Sequence, residues 1–274
     1  MCASLAETAS HIVPVLVAFL RDEVGKTGFH DVVFGLSGGI DSAVVAYLAT
    51  QAFGKEHVHP IIMPYKTSSP ASLADARAVL HDLSLAEQVI EITPQIDAYF
   101  ADKPDASALR KGNKMARERM TIVYDHSVVY HALALGTSNK TELLLGYGTQ
   151  FGDLASAINP IGDLYKAQIR AVAKAVGVPL SILQKAPSAD LWEDQTDESE
   201  LGFTYDEADA ILHLFVDDRL SVEEIVEIGF EETLVKLIVR RVMINQYKRR
   251  MPVIAKLSSR TIGIDFRYPR DWGL

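Results

Sequence analysis

Val32-Val33-Phe34-Gly35-Leu36-Ser37-Gly38-Gly39-Ile40-Asp41-Ser42 runs from an apolar stretch through a glycine turn and directly into a helical pattern. The Val32–Leu36 stretch has no polar alternate, as expected of a strand buried on both faces. Asp41 to Phe53 has helical spacing, so the pair reads as the first half of a βαβ unit. Gly38 and Gly39 can adopt backbone conformations closed to other residues, and their N–H groups can approach a ligand closely. The helix start adds unpaired N–H groups and the positive end of a dipole, which together favour a phosphate. Ser37 and Ser42 add hydroxyls. Asp41 conflicts with a polyphosphate unless a cation stands between them, and Mg²⁺ resolves that conflict. The bland alternative is a βα turn with a helix-capping Asp. No Gly-Lys-Ser/Thr follows, so the loop is not a Walker A motif, and Gly-x-Gly-x-x-Gly is absent.

Working outward, residues 3–24 read as an amphipathic helix, with Leu5, Ile12, Leu16, Phe19 and Leu20 on one face. His57–Met63 and Gln88–Ile92 read as strands, with a helix over 70–86 between them. Residues 102–113, with Pro104 and Gly112, read as a loop, and Asn113–Leu133 as a long helix. A strand end falls at Ala132–Gly136. An amphipathic helix is expected over 161–176, started by Asp163 and closed by Gly177 and Pro179. Residues 190–209 are acidic and read as a loop over a nucleotide or a solvated linker, whereas 240–250 are basic. Strands alternating with helices imply an α/β fold, a Rossmann-like parallel sheet with helices on both faces. With no repeat or low-complexity linker, residues 1–274 are expected to form a single domain.

The chain of 274 residues carries a net charge of −9, which argues against a duplex-binding surface and leaves room for a local phosphate pocket. Cys2 is the single cysteine, so no internal disulfide can form and a reducing cytoplasm is the expected compartment. No run reaches the ~18 apolar residues of a membrane helix. Neither nucleic acid nor membrane is an expected partner.

Ser-Gly-Gly-x-Asp-Ser resembles the signature of the PP-loop, or N-type, ATP pyrophosphatases, which cleave ATP between its α and β phosphates. Further segments resemble the NAD synthetase family within that group. These are Gly112-Asn113-Lys114-Met115-Ala116-Arg117-Glu118-Arg119-Met120, Gly136-Thr137 with Glu142 five residues later, Asn159-Pro160-Ile161-Gly162-Asp163-Leu164-Tyr165-Lys166, and Pro187-Ser188-Ala189-Asp190-Leu191. Gln195-Thr196-Asp197-Glu198 and Tyr247-Lys248-Arg249 continue the match.

The resemblance implies ATP-dependent amidation of deamido-NAD by ammonia, through an acyl adenylate, with release of AMP and pyrophosphate. It assigns ATP to Gly35, Leu36, Ser37, Gly38, Gly39, Ile40, Asp41, Ser42, Thr137, Lys166 and Ser188. Deamido-NAD falls to Arg117, Gln150, Tyr247 and Lys248. Asp41 and Glu142 would hold Mg²⁺, and Asp41, Glu142 and Lys166 would be the catalytic set. Glu142 also reads simply as a first-turn helix carboxylate, and Arg117 as part of a solvated face. Gln150, Ala157 and Tyr247 depart from the Lys, Asp and His of many members. A homodimer is implied too. The segment ahead of the loop leaves space for one helix and one strand, so free ammonia rather than glutamine is the expected nitrogen source, and Cys2 an incidental residue.

Overall fold

In the computed structural model, which describes residues 9–188 and 196–266, Asp31–Gly35 forms β1 at the centre of a parallel sheet. β2 (Val58–Ile61) lies on one side and β3 (Ala132–Ala134) on the other, with Val32 level with Val58 and Leu133. Single parallel bridges extend the sheet outward, Ile62 to Val89 beyond β2 and Leu135 to Ile158 beyond β3. The strand expected over 88–92 is therefore reduced to one rung, fixed by Ile62 N–H to Gln88 O and Ile90 N–H to Ile62 O, both 2.9 Å. From β1 the chain steps outward to β2, then returns to place β3 on β1's other side. That reversal opens a crevice at the carboxyl ends of β1 and β3, where open α/β sheets bind ligands.

The helices before β3 are α1 (Ala9–Gly25), α2 (Ile40–Phe53), α3 (Pro70–Leu83), α4 (Thr93–Phe100) and α5 (Ala108–Val129). After it come α6 (Lys140–Leu145), α7 (Lys166–Val176), α8 (Leu180–Leu183), α9 (Asp197–Leu201), α10 (Tyr205–Leu212), α11 (Val222–Glu227) and α12 (Glu232–Ile244). Strand alternation sends Val32 and Phe34 into a core shared with α1, α2 and α7, while Val33 enters a second core with Ile96 and Phe100 of α4 and Met115 of α5. Helices thus cover both faces of the sheet. All residues from Ser42 to Ala49 are buried, which explains why α2 is apolar around its whole circumference. A third core around Tyr165, Tyr205, Ile225 and Ile238 joins α9–α12 to the α6 and α7 ends nearest the crevice.

Three boundaries differ from the sequence reading. Helix α5 starts at Ala108, where the Ser107 hydroxyl accepts the Arg110 N–H at 3.3 Å, so the irregular stretch is shorter than 102–113. Helix α7 starts at Lys166 rather than near Asp163, because Leu164 O receives the Lys140 N–H at 2.8 Å and holds the chain in a turn. The acidic 190–209 segment is helical over Asp197–Leu201 and Tyr205–Leu212. The expectations for residues 3–8, Cys2 and 189–195 lie outside the described residues. Among the described residues, no helix is long and apolar enough to cross a membrane.

Candidate active site

The turn between β1 and α2 closes on itself. Ser37 N–H donates to Ser42 Oγ at 3.2 Å, Gly39 N–H to Ser37 Oγ at 3.2 Å, and Ser42 Oγ to Gly39 O at 3.1 Å. Gly38 has φ +78°, and a Cβ there would stand 2.0 Å from the Ser72 carbonyl oxygen at the start of α3. Only glycine lets the loop pass that close. Gly39, not Asp41, is the N-terminal cap of α2, with no side-chain bond.

Asp41 is instead drawn across the crevice. Its Oδ1 accepts from Asn139 Nδ2 at 2.9 Å and its Oδ2 from Lys166 Nζ at 2.6 Å. Lys166 Nζ also lies 3.2 Å from Glu142 Oε1, so carboxylates 101 residues apart in sequence converge on one point. Glu142 is a first-turn carboxylate of α6, as one of its two sequence readings had it. Its Oε2 accepts the Asn139 N–H at 3.3 Å while Asn139 Oδ1 accepts the Glu142 N–H at 2.9 Å, a capping box that leaves Oε1 for the crevice. Burial pushes the Glu142 carboxyl up to about 8, against the pull of the Lys166 charge. Burial opposes the Lys166 charge in turn, but Asp41 and Glu142 overcome it and hold the ammonium protonated. Asp197, buried, accepts from Tyr205 Oη at 2.9 Å and Tyr147 Oη at 3.0 Å and adds to this negative field.

These groups line a cavity of about 770 Å³, within the range of small-molecule sites. Gly35, Leu36, Ser37, Gly39, Ile40, Asp41, Ser42, Thr137, Glu142, Lys166, Ser188 and Lys248 all reach it. Gly38 lies behind the loop against α3. Three expected ligand contacts fall outside the cavity lining: Arg117, Gln150 and Tyr247. The Arg117 Nε meets the Gln150 carbonyl at 3.4 Å, and Tyr247 is 58% exposed. Arg117 is exposed although Asn113 and Met120, four residues before and three after it, line the cavity, so its side chain leaves at the edge of the inward stripe of α5. Arg119 is the arginine that lines the cavity, donating to Met63 O at 3.0 Å. The Lys248 ammonium holds the 146–148 stretch after α6 through Gly146 O at 2.7 Å and Gly148 O at 2.8 Å.

Asn139, Asp197 and Tyr205 receive no role from the sequence, although Asp197 lies in a segment that matches the family pattern. Asn139 hides as a helix cap, and its offset of three from Glu142 was the available signal. The Asp197 and Tyr205 pairing needed the fold.

The donor set fits a divalent cation. Two carboxyl groups converge and Asp197 stands near, against the single positive charge of Lys166, so a polyphosphate brought there calls for a further cation. Mg²⁺ typically takes one or two carboxylates and completes its shell with phosphate and water. Among the described residues, no cluster of three or more His, Cys, Asp or Glu side chains forms an all-protein metal cage.

Fold and site together define a PP-loop nucleotide-binding α/β protein. A family model described as NAD synthase matches residues 12–252. The chain is 57% identical over 259 residues to an NH(3)-dependent NAD(+) synthetase of Trichlorobacter lovleyi, covering 94% of this chain and 95% of that one. It is 54% identical to the Fusobacterium nucleatum protein of the same description, over 88% of this chain and 94% of the relative. Among solved structures, an NMN synthetase from Francisella tularensis superposes with TM-score 0.81 at 32% identity, covering 91% of this chain and 99% of that one. An NH3-dependent NAD synthetase from Campylobacter jejuni gives 0.77 at 35% identity, with 90% and 99% covered. The chain belongs to the NAD synthase family.

Proposed function

We propose that this protein is a carbon–nitrogen ligase that amidates deamido-NAD with ammonia at the expense of ATP, forming NAD⁺, AMP and pyrophosphate. One observation carries the reading: Asp41 of the glycine loop, Glu142 and Lys166 converge at the crevice.

The chemistry requires a carboxylate to become an electrophile. Its oxygen attacks the α-phosphorus of ATP, the bond to the β-phosphate oxygen breaks, and an acyl adenylate forms. Ammonia then attacks the acyl carbon and AMP leaves. The 37–42 loop, with Thr137 and Ser188, holds the ATP. The Lys166 ammonium, aimed from the first turn of α7, neutralises charge on the transferring phosphoryl group and departing pyrophosphate. Asp41 and Glu142 would hold Mg²⁺, which supplies charge neutralisation on the phosphates when bound. Arg117, Gln150, Tyr247 and Lys248 serve the dinucleotide. Most of the rate comes from positioning and electrostatics rather than from a general base.

We also propose that the chain acts as one domain within a homodimer, in the cytoplasm where ATP is supplied. Val128 and Val129 on α5 support the dimer, being 82% and 65% exposed, with Val128 one turn after the exposed Tyr124. That surface lies on the same helix as Arg117, so a second subunit there would sit beside residues that the single chain leaves outside the cavity.

The structural likeness to an NMN synthetase supplies the second reading, with the mononucleotide acid as acceptor. Turnover with ATP, Mg²⁺ and ammonium, using deamido-NAD or nicotinate mononucleotide and mass spectrometry of the product, separates the two. A higher kcat/KM for deamido-NAD is expected. Preference for the mononucleotide, or no amide from either, overturns the proposal.

A further inference from the structure

Asp209 lies on α10, in the helical layer, and is completely buried. Burying a carboxylate is costly unless it is fully hydrogen-bonded, so its partners reveal why it is there. Its Oδ1 accepts from Thr141 Oγ at 2.5 Å, and its Oδ2 from the Ala167 N–H at 2.8 Å. Thr141 Oγ also accepts the Lys166 N–H at 3.1 Å. These three bonds make a closed ring through Asp209, Thr141 and the first two residues of α7. Thr141 directly precedes Glu142. Ala167 directly follows Lys166. The ring therefore ties the backbone beneath Glu142 to the backbone beneath Lys166, with no contact to the cavity itself. It also places a negative charge against the positive end of α7.

We propose that Asp209 is a positioning residue that sets the placement of Lys166 relative to Glu142, acting through Thr141 and the α7 N-terminus. This rests on the catalytic reading of Lys166 given above. The Lys166 ammonium meets Asp41 at 2.6 Å and Glu142 at 3.2 Å, so small shifts of α7 change both contacts. Asparagine at 209 keeps an acceptor for Thr141 but turns an NH₂ group toward the Ala167 N–H. A purely structural cap would affect stability. A positioning residue additionally separates kcat from KM, since Lys166 acts most strongly on charge that develops during transfer.

The test compares Asp209→Asn, Thr141→Val and Thr141→Ser with wild type. Expected for Asp209→Asn and Thr141→Val is a fall in kcat of about ten- to a hundredfold, the scale of an ångström's misplacement, with KM for ATP within about threefold. Thr141→Ser keeps the hydroxyl and returns kcat to within about threefold of wild type. The double variant Asp209→Asn/Thr141→Val loses no more than the worse single one, because one ring is broken only once. Amide exchange at Lys166 and Ala167 rises in Asp209→Asn while α2 keeps its protection. A folded Asp209→Asn with wild-type kcat, additive losses in the double variant, or equal losses in Thr141→Ser and Thr141→Val overturns the proposal. If Asp209→Asn does not fold, the Thr141 pair decides it alone. If wild type makes no NAD⁺, the catalytic reading fails separately, and unchanged exchange at Ala167 then overturns the ring's role by itself.

Discussion

Gly38→Ala against Gly28→Ala isolates what the phosphate loop needs. Both glycines have left-handed backbones, φ +78° and +75°. An alanine in that region costs about 1–2 kcal/mol whatever surrounds it. At Gly28 nothing lies within 4 Å of the added Cβ, so the conformational cost is the whole effect. At Gly38 the Cβ would stand 2.0 Å from Ser72 O, 2.9 Å from Ser72 C and 3.1 Å from Ala76 N. All three are backbone atoms of α3, so no side chain can swing aside. Ordinary contact begins at 3.4 Å, so loop and helix must part by about 1.4 Å. Overpacking of that kind adds roughly 1–3 kcal/mol, for a total of about 2–5 kcal/mol. In a chain of this size each kcal/mol moves Tm by roughly 2 °C, so Gly38→Ala should melt roughly 4–10 °C lower and Gly28→Ala roughly 2–4 °C lower. Activity should separate them further. Displacing the loop by more than an ångström should lower kcat/KM about a hundredfold in Gly38→Ala. Gly28→Ala should keep wild-type kcat/KM. Calorimetry and steady-state kinetics read both. Equal melting shifts, with Gly38→Ala within threefold of wild-type activity, would refute the reasoning.

Asp41→Asn and Glu142→Gln should each lose at least about a hundredfold in turnover at saturating Mg²⁺ with unchanged circular dichroism, since each removes an anionic oxygen from the convergence point; wild-type activity in either removes that residue from the site. Because Glu142 sits at about 8 when folded and near 4.3 when unfolded, the wild type loses its share of stability as pH rises between those values. Glu142→Gln should therefore gain on wild type from pH 5 to 8.5 in EDTA, by at most about 1.4 kcal/mol per unit; parallel urea-midpoint curves would contradict this. Tyr205→Phe deprives buried Asp197 of a donor at 2.9 Å and should cost about 1–3 kcal/mol by urea unfolding; a change below 0.5 kcal/mol would mean water replaces the hydroxyl. Light scattering should give a dimer that Val128→Asp with Val129→Asp splits into monomers; an unaltered mass moves the interface elsewhere.

The β1–α2 unit was readable because two local signals agree there: an unbroken apolar run and glycines where the backbone must turn. The sheet's alternation followed, and so did the helices with clear ends. Residues 88–92 were less readable. Their composition suits a strand, yet pairing depends on how far β2 extends beside them, and only Val89 finds a rung. The start of α7 was set by a long-range bond from Lys140, invisible to a reading of neighbours. At the site, the loop was legible in its own residues, whereas the grouping of Glu142 and Lys166 with Asp41 came from the resemblance to the NAD synthetase family. Asp197, Tyr205 and Asp209 came from the packing of the carboxy-terminal helices over α6 and α7, which no local pattern encodes. Arg117 shows the opposite case. Its segment matched the family pattern, yet its side chain is exposed and does not line the cavity of its own chain.

The central claim is that the carboxylate of the acceptor becomes bonded to the α-phosphorus of ATP. Deamido-NAD carrying ¹⁸O in its nicotinate carboxylate tests this directly, with ATP, Mg²⁺ and ammonium, by ³¹P NMR of the products. Attack at the α-phosphorus leaves one carboxylate oxygen on the phosphate, so an isotope-shifted AMP signal should accumulate beside unlabelled pyrophosphate as NAD⁺ forms. Label in orthophosphate with ADP as the partner product would place the bond at the γ-phosphorus and contradict the account.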